Sequence, residues 1–381
     1  HYKRFIELIW ERGVEDAFQG KYAATLSTSI HFFDHTAHNY VHAICDDLGM
    51  RFVASFSPEM RDLLTPEGQV QLTHFGRDFV DAIEHRRPMP RLYAPVVARA
   101  LDYRPGEAGT ALPVGDRRVV IVTDTRIGED NVARMVERFR ASLAGPVEVV
   151  NLHDVDIKSS CLGCLKCGYD NECAFTGKDG FIDFYDTVLK PADVLVFAGA
   201  IHDRYLSSRW KAFFDRSFFN THTPSLVGKQ FAFLISGPLG QNANLREILA
   251  GWVELQRAHL AGFVTDEYGD SAEIDALLHD LARRVLVFAA AGYVPPQTFL
   301  GVGGMKIFRD DIWGRLRTVF QADHRAYKEM GIYDDFPQRD LGVRALNAVT
   351  GVLFRVPRVR REFAARIKEQ MIQPYARVLE D

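Results

Sequence analysis

Short apolar runs alternate along the middle of the chain with longer stretches in which apolar residues recur every third or fourth position. Arg118–Thr123 is a β-branched run that enters a polar loop. Asn131–Leu143 then carries Val132, Met135, Val136 and Phe139 on one helical face. Val147–Leu152 and Asp193–Ala198 predict two further strands, with Ser207–Phe219 a helix. Phe231–Ile235 predicts a fourth strand, Leu245–Leu260 a helix, Gly262–Thr265 a fifth strand and Ala272–Ala291 a closing helix. Strands and helices in that order predict an α/β fold with a doubly wound parallel sheet. Ligands of such sheets sit beyond the carboxyl ends of the strands. That rule points to three loops: Asp124–Asp130, Gly199–Leu206 and Ser236–Gln241.

The first ninety residues repeat the back half of this pattern. Lys3-Arg4-Phe5-Ile6-Glu7 matches Lys211-Ala212-Phe213-Phe214-Asp215, and Gly20-Lys21 with the apolar Tyr22–Leu26 matches Gly228-Lys229 with Gln230–Leu234. Lys3 and Lys211, like Gly20 and Gly228, are 208 positions apart. Further on, a short insertion is expected, so that Phe52-Val53 aligns with Phe263-Val264. The expected organisation is therefore a partial copy at 1–90, a linker at 91–116, a complete copy at 117–304 and a helical extension at 305–381. The front half of the partial copy is expected to lie before His1. Pro88, Pro90, Pro95, Pro105, Gly106 and Gly109 make the linker irregular.

Within the complete copy, Cys161, Cys164, Cys167 and Cys173 fall inside one short loop, and the chain has 5 cysteines in all, the other being Cys45. Thiolates ligate iron–sulfur clusters, and gaps of two, two and five residues suit a compact ferredoxin-type cluster loop. A structural zinc more often takes two CxxC pairs separated by a dozen residues or more, so zinc is the alternative, followed by empty or disulfide-bonded thiols. Cysteines suited to a cluster predict a cytoplasmic protein. A net charge of −4 gives no footprint for nucleic acid. The longest nearly uncharged stretch, Val285–Val294, is too short for a membrane span.

With these residues in view, the chain resembles the flavodoxin-like NAD(P)H-dependent FMN reductases, through its strand order and the helix Trp210-Lys211-Ala212-Phe213-Phe214-Asp215-Arg216. The Cys161-x2-Cys164-x2-Cys167-x5-Cys173 loop is similar to that of their iron–sulfur flavoprotein branch. The resemblance implies a flavodoxin-like fold, tandem here with the N-terminal copy partial. It also implies an oxidoreductase that passes electrons between FMN and a [4Fe–4S] cluster held by the four cysteines. Thr123, Thr125, Arg126 and Asn131 would hold the phosphate. Ala200, Ile201, His202, Asp203 and Arg204 would flank the flavin ring, and Ser236, Gly237, Pro238, Leu239 and Gly240 would form a third wall. NAD(P)H, ferredoxin or a small-molecule acceptor would be the redox partners, and a homo-oligomer the assembly. Two departures stand out. Thr123-Asp124-Thr125-Arg126 replaces the family's Gly-Ser-Pro-Arg, placing a carboxylate where a phosphate is repelled, and Ala200-Ile201-His202 replaces Pro-x-Tyr.

His31, His35, His38 and His42 are spaced to share one face of a continuous helix. Alignment to the complete copy starts that helix near Asp34 or Thr36, which leaves His31 and His35 at the mouth of a pocket. These two and His202 are the candidate proton donors, and a metal site on the four histidines is the alternative. Ile307–Met330 predicts one amphipathic helix. The apolar Ala345–Phe354, with Arg355, Arg358, Arg360, Arg361, Arg366 and Lys368, predicts a packing helix with a solvated face, docking on an anionic membrane surface or an acidic electron carrier being the alternative. Two other functions compete with the cluster-bearing enzyme: an FMN or quinone reductase with zinc or nothing at the cysteines, and a partner-binding scaffold that has lost flavin.

Overall fold

Five parallel strands form the central sheet, and its order explains where a ligand can enter. The computed structural model describes residues 1–59, 61–125, 130–334 and 340–376. In chain order the first elements are α1 (Tyr2–Glu11), β1 (Tyr22–Leu26), α2 (Asp34–Asp47), β2 (Arg51–Phe56) and α3 (Pro66–Glu84). Then come β3 (Leu112–Pro113), β4 (Val119–Thr123), α4 (Asn131–Ala141), β5 (Leu143–Ala144), β6 (Val147–Asn151), α5 (Phe181–Phe184) and β7 (Val194–Ala200). They are followed by α6 (Ser208–Arg216), β8 (Gln230–Ser236), α7 (Ala243–Leu255), β9 (His259–Thr265), α8 (Ser271–Ala291) and α9 (Phe299–Trp313). The last are α10 (Gln321–Glu329), α11 (Leu341–Leu353) and α12 (Pro357–Ala376). The chain divides into two units, His1–His324 and Arg325–Asp381.

The main sheet runs β6-β4-β7-β8-β9 with every pair parallel. Counted in order of appearance this is 2-1-3-4-5, the flavodoxin-like doubly wound arrangement, whose switch point lies between the first and third strands, here β4 and β7. Successive residues face opposite sides of the sheet, as strand geometry requires. Val120, Val122, Leu195, Phe197, Phe231 and Phe233 pack with Trp210 and Phe213 of α6 and Leu245 and Leu249 of α7. Val119, Ile121, Val194, Val196, Ala232 and Leu234 pack with α4 and α8 through Met135, Phe139, Leu278 and Leu281. Phe197 is fully buried and lies against the rings of Trp210, Phe213, Phe231, Phe233 and Trp252. Phe197→Ala is expected to cost about 3–5 kcal/mol, read as a lower midpoint of urea unfolding.

β1 and β2 form a separate parallel pair. Tyr22 lies opposite Arg51 as Gln230 lies opposite His259, and Thr25 opposite Ser55 as Phe233 opposite Phe263. Each of these pairs is related to its counterpart by the same 208 positions. β2 and β9 each carry one extra residue at the equivalent place, so the expected insertion before Phe52 does not occur. Phe52 stands where Leu260 stands. Like packs on like: α1 contacts α6, and α2 contacts α7.

Three helix expectations are corrected. The helix begun at Leu245 stops at Leu255, because Arg257 turns the chain with φ 53° and His259 is already paired in the sheet. α6 ends at Arg216 and continues as a 3-10 turn, Ser217–Asn220. The predicted helix Ile307–Met330 is two helices, since Gly314 leaves the helical region with ψ −114°. In the second unit Phe354 packs on Phe363 with ring centroids 4.8 Å apart. Among the described residues no helix is long and apolar enough to cross a membrane.

Candidate functional site

A cleft of about 840 Å³ opens at the switch point. Its walls come from the loop after β4 (Asp124, Thr125), the loop after β7 (Ala200, His202, Asp203), the start of α6 (Ser207, Ser208, Lys211) and α1 (Lys3, Arg4, Glu7). Asp124 is explained here. Its carboxylate accepts from the Ser207 hydroxyl, which itself accepts from the Arg209 and Trp210 amides and so caps α6. Burial raises the Asp124 pKa, although the Ser207 bond opposes the shift. Gly199 makes room for this arrangement, because a Cβ there would stand 2.7 Å from Trp210 Nε1 and 3.3 Å from Asp124 Oδ1.

The wall contributed by α1 was not legible as part of a site. Lys3 is buried between Glu7, 3.0 Å away, and Asp203. Glu7 also accepts from the Ser208 amide and hydroxyl at the N-terminus of α6, where a negative charge is favoured. Burial works to raise the Glu7 pKa, but the Ser208 bonds and Lys3 outweigh it and hold the group below its ordinary value. Asp203 goes the other way and is pushed up to about 6, by burial against the opposing pull of Lys3. A carboxyl whose folded pKa exceeds its unfolded value binds more protons when folded, so its contribution to stability falls as pH rises between those two values. The stability of Asp203→Asn relative to the wild type is therefore expected to improve by about 2–3 kcal/mol between pH 4 and pH 7, measured by urea unfolding across that range.

Not every residue assigned from the sequence reaches the cleft. Arg126 lies outside the described residues. Thr123 is buried at the end of β4, and its hydroxyl accepts from the Thr125 amide at 3.3 Å. Asn131 is spent on structure, accepting from the Tyr103 amide and donating to Leu101 O and Asp266 Oδ2. Arg204 turns away to pair with Asp47 and donate to Ala94 O. Ile201 packs over Gly237. The third loop is fastened to the loop after β9: Ser236 and the Gly237 amide donate to Asp266, and the Gly240 amide donates to Glu267. Asn242 donates to Pro238 O, and Arg246 to Leu239 O. Ser236, Gly237, Pro238, Leu239 and Gly240 are absent from the cleft wall.

The four histidines do not converge. His31 faces Asp34 at 3.3 Å and His35 reaches Glu247 at 2.8 Å. His38 is held between Thr25 and Ser27 through both ring nitrogens, and His42 stacks on Phe52 with centroids 3.8 Å apart. α2 begins at Asp34, so His31 is not on the helix. Of the three candidate proton donors, only His202 lines the cleft.

Cys161, Cys164, Cys167 and Cys173 all line a second, smaller cavity of about 20 Å³, closed by Phe175, Phe218, Phe219 and Arg216. The loop winds through left-handed turns at Gly163, Leu165 and Asn171, with φ 63°, 55° and 64°. All four thiols are free. The Gly163 amide donates to Cys161 Sγ at 3.4 Å, and Cys167 Sγ donates to Phe218 O at 3.6 Å. Burial pushes the Cys167 thiol up to about 11, and its three cysteine neighbours add to the shift. Among the described residues no three His, Cys, Asp or Glu side chains gather where one metal ion would be held. The four cysteines share the wall of one cavity without meeting at a single ion position. Ser160 lines the cleft and Cys161 the cavity, so consecutive residues belong to the two sites. α6 also joins them, with Ser208 and Lys211 at one and Arg216 at the other.

No protein-family model matches the chain, and no curated protein matches it. Several solved structures resemble part of it. The flavodoxin, WrbA-like protein from Agrobacterium tumefaciens is 14% identical, with 47% of this chain covered and 100% of that one at a TM-score of 0.33. An azoreductase from Bacillus anthracis str. Sterne is 17% identical over 45% of this chain and 98% of that one, with a TM-score of 0.34. An NADH:FMN oxidoreductase, EMOB, in its apo form, is 14% identical over 48% of this chain and 91% of that one, with a TM-score of 0.33. The fold assignment rests on this chain's own strand order and switch point.

Proposed function

We propose that the protein is a flavin-dependent oxidoreductase in which FMN occupies the switch-point cleft and the four cysteines hold a [4Fe–4S] cluster. One observation carries the reading: the two sites adjoin, through Ser160 and Cys161, within a single chain. A cleft of about 840 Å³ is within the range of cofactor pockets. Four free thiols in the wall of one cavity, with an amide already donating to one sulfur, supply the thiolate donor set that a [4Fe–4S] cluster takes. FMN takes a hydride as two electrons and releases them singly, and a cluster takes one at a time, so together they convert between the two kinds of traffic.

The chain's own residues would do the following. Asp124 and Ser207 fix the start of α6, so that the loop after β7 keeps its shape beside the bound ring. Lys3 and Glu7 close the cleft from α1 and exclude water from that side. The imidazole of His202, on the wall, would hold a proton for transfer. NAD(P)H is the proposed reductant. The names of the similar structures belong to those proteins, and the reading for this chain stands on its two adjoining sites. Anaerobic titration with NADPH, followed by absorbance and electron paramagnetic resonance, tests it. Bleaching of the flavin bands together with a reduced-cluster signal is expected. Flavin bleaching alone would favour the plain FMN or quinone reductase with an empty cysteine site.

A further inference from the structure

Arg216 is the last residue of α6 and is 1% exposed. Its Nη1 donates to Asp179 Oδ2 at 2.6 Å and Ser159 O at 3.1 Å, and its Nη2 donates to Asp179 Oδ1 at 2.9 Å. The Phe175 and Phe181 rings lie 4.4 and 5.0 Å from the guanidinium carbon. The remaining donor, Nε, is buried and has no hydrogen-bond partner among the described residues. A buried donor left unpaired costs free energy, and a guanidinium cannot shed its proton to escape that cost. Among the described residues Arg216 is also the one charged residue in the wall of the cysteine cavity.

We infer that Arg216 Nε donates to the group held by the four cysteines and that its positive charge raises that group's reduction potential; this rests on the cluster reading proposed above. A centre ligated by four thiolates is anionic, and one electron from a donor makes it more so. A fixed cation in the cavity wall therefore favours the reduced form. Asp179 balances the arginine for folding, but Arg216 is in the cavity wall and Asp179 is not. Arg216 is thus a positioning and tuning residue, separate from the four ligands.

The test is a dithionite titration of the full chain, read by electron paramagnetic resonance, after iron and sulfide have been measured in each sample. Arg216→Gln combined with Asp179→Asn removes both charges and strands neither. This double variant is expected to keep its iron and to shift the reduction equilibrium at least tenfold toward the oxidised form, a fall of about 59 mV for one electron. Arg216→Lys keeps the charge but lacks Nε, and is expected to shift the equilibrium less. An unchanged midpoint in a fully loaded double variant would overturn the inference. So would loss of iron from both variants while their circular dichroism stays native, because the guanidinium would then serve only to hold the loop. A wild type without iron or sulfide would instead bring down the cluster reading itself.

Discussion

Cys167→Ser is expected to strip iron, sulfide and broad visible absorbance from the protein while leaving the flavin bands in place. Cys167 is the buried member of the four, and it lines the same small cavity as the other three. A serine oxygen is a hard, weakly acidic ligand and does not replace a soft thiolate on iron. The flavin survives because the cleft is built from the loops after β4 and β7 and from α1 and α6, and contains none of the cysteines. Cys45→Ser is the control: its thiol is buried on α2 and pushed up to about 11, mainly by burial, and its loss is expected to leave the iron content unchanged. If Cys167→Ser retains full iron, the four cysteines are not the ligand set. If flavin and iron vanish together, the two sites fold as one unit.

The second large effect is expected at Lys3. Its ammonium is the cation for two buried carboxylates, Glu7 and Asp203, and lies at the contact between α1 and α6. Lys3→Ala leaves both acids facing each other without it, and breaking a buried ion pair on one side costs about 3–5 kcal/mol. The same substitution at Lys211, the equivalent residue of the other copy, removes a half-exposed pairing with Asp215 and is expected to cost under about 1 kcal/mol. Urea unfolding of the two variants side by side measures the contrast. Since α1 also walls the cleft, Lys3→Ala is expected to weaken flavin retention on gel filtration. Equal costs at the two lysines would mean that α1 is a loosely held appendage and forms no wall.

The strands of the main sheet were legible because their apolar runs are buried on both faces and bounded by polar loops, as in Val194–Ala200 and Gln230–Ser236. The cysteine spacing put four thiols in one loop, and all four cysteines line one small cavity. Where sequence reasoning failed, tertiary pairing had overridden local pattern. Leu260 reads as the end of a helix until the sheet claims it beside Phe231. Asn131 follows one loop that the switch-point rule selects and Ser236 opens another, yet both bond Asp266, a partner 135 and 30 residues away respectively. The part played by α1 was half visible. The repeat of Lys3-x3-Glu7 in Lys211-x3-Asp215 marked equivalent helices, but only their contact places Lys3 and Glu7 at the cleft. Arg216 was seen as a motif residue, and its buried place beside the cysteines depends on Asp179, 37 positions earlier.

The most direct measurement is the visible spectrum of the protein purified anaerobically without reconstitution, with flavin, iron and acid-labile sulfide determined on the same sample. The adjoining cleft and cysteine cavity predict flavin together with iron and sulfide in equal, cluster-sized amounts. Flavin with no iron or sulfide, or zinc in their place, would contradict the account.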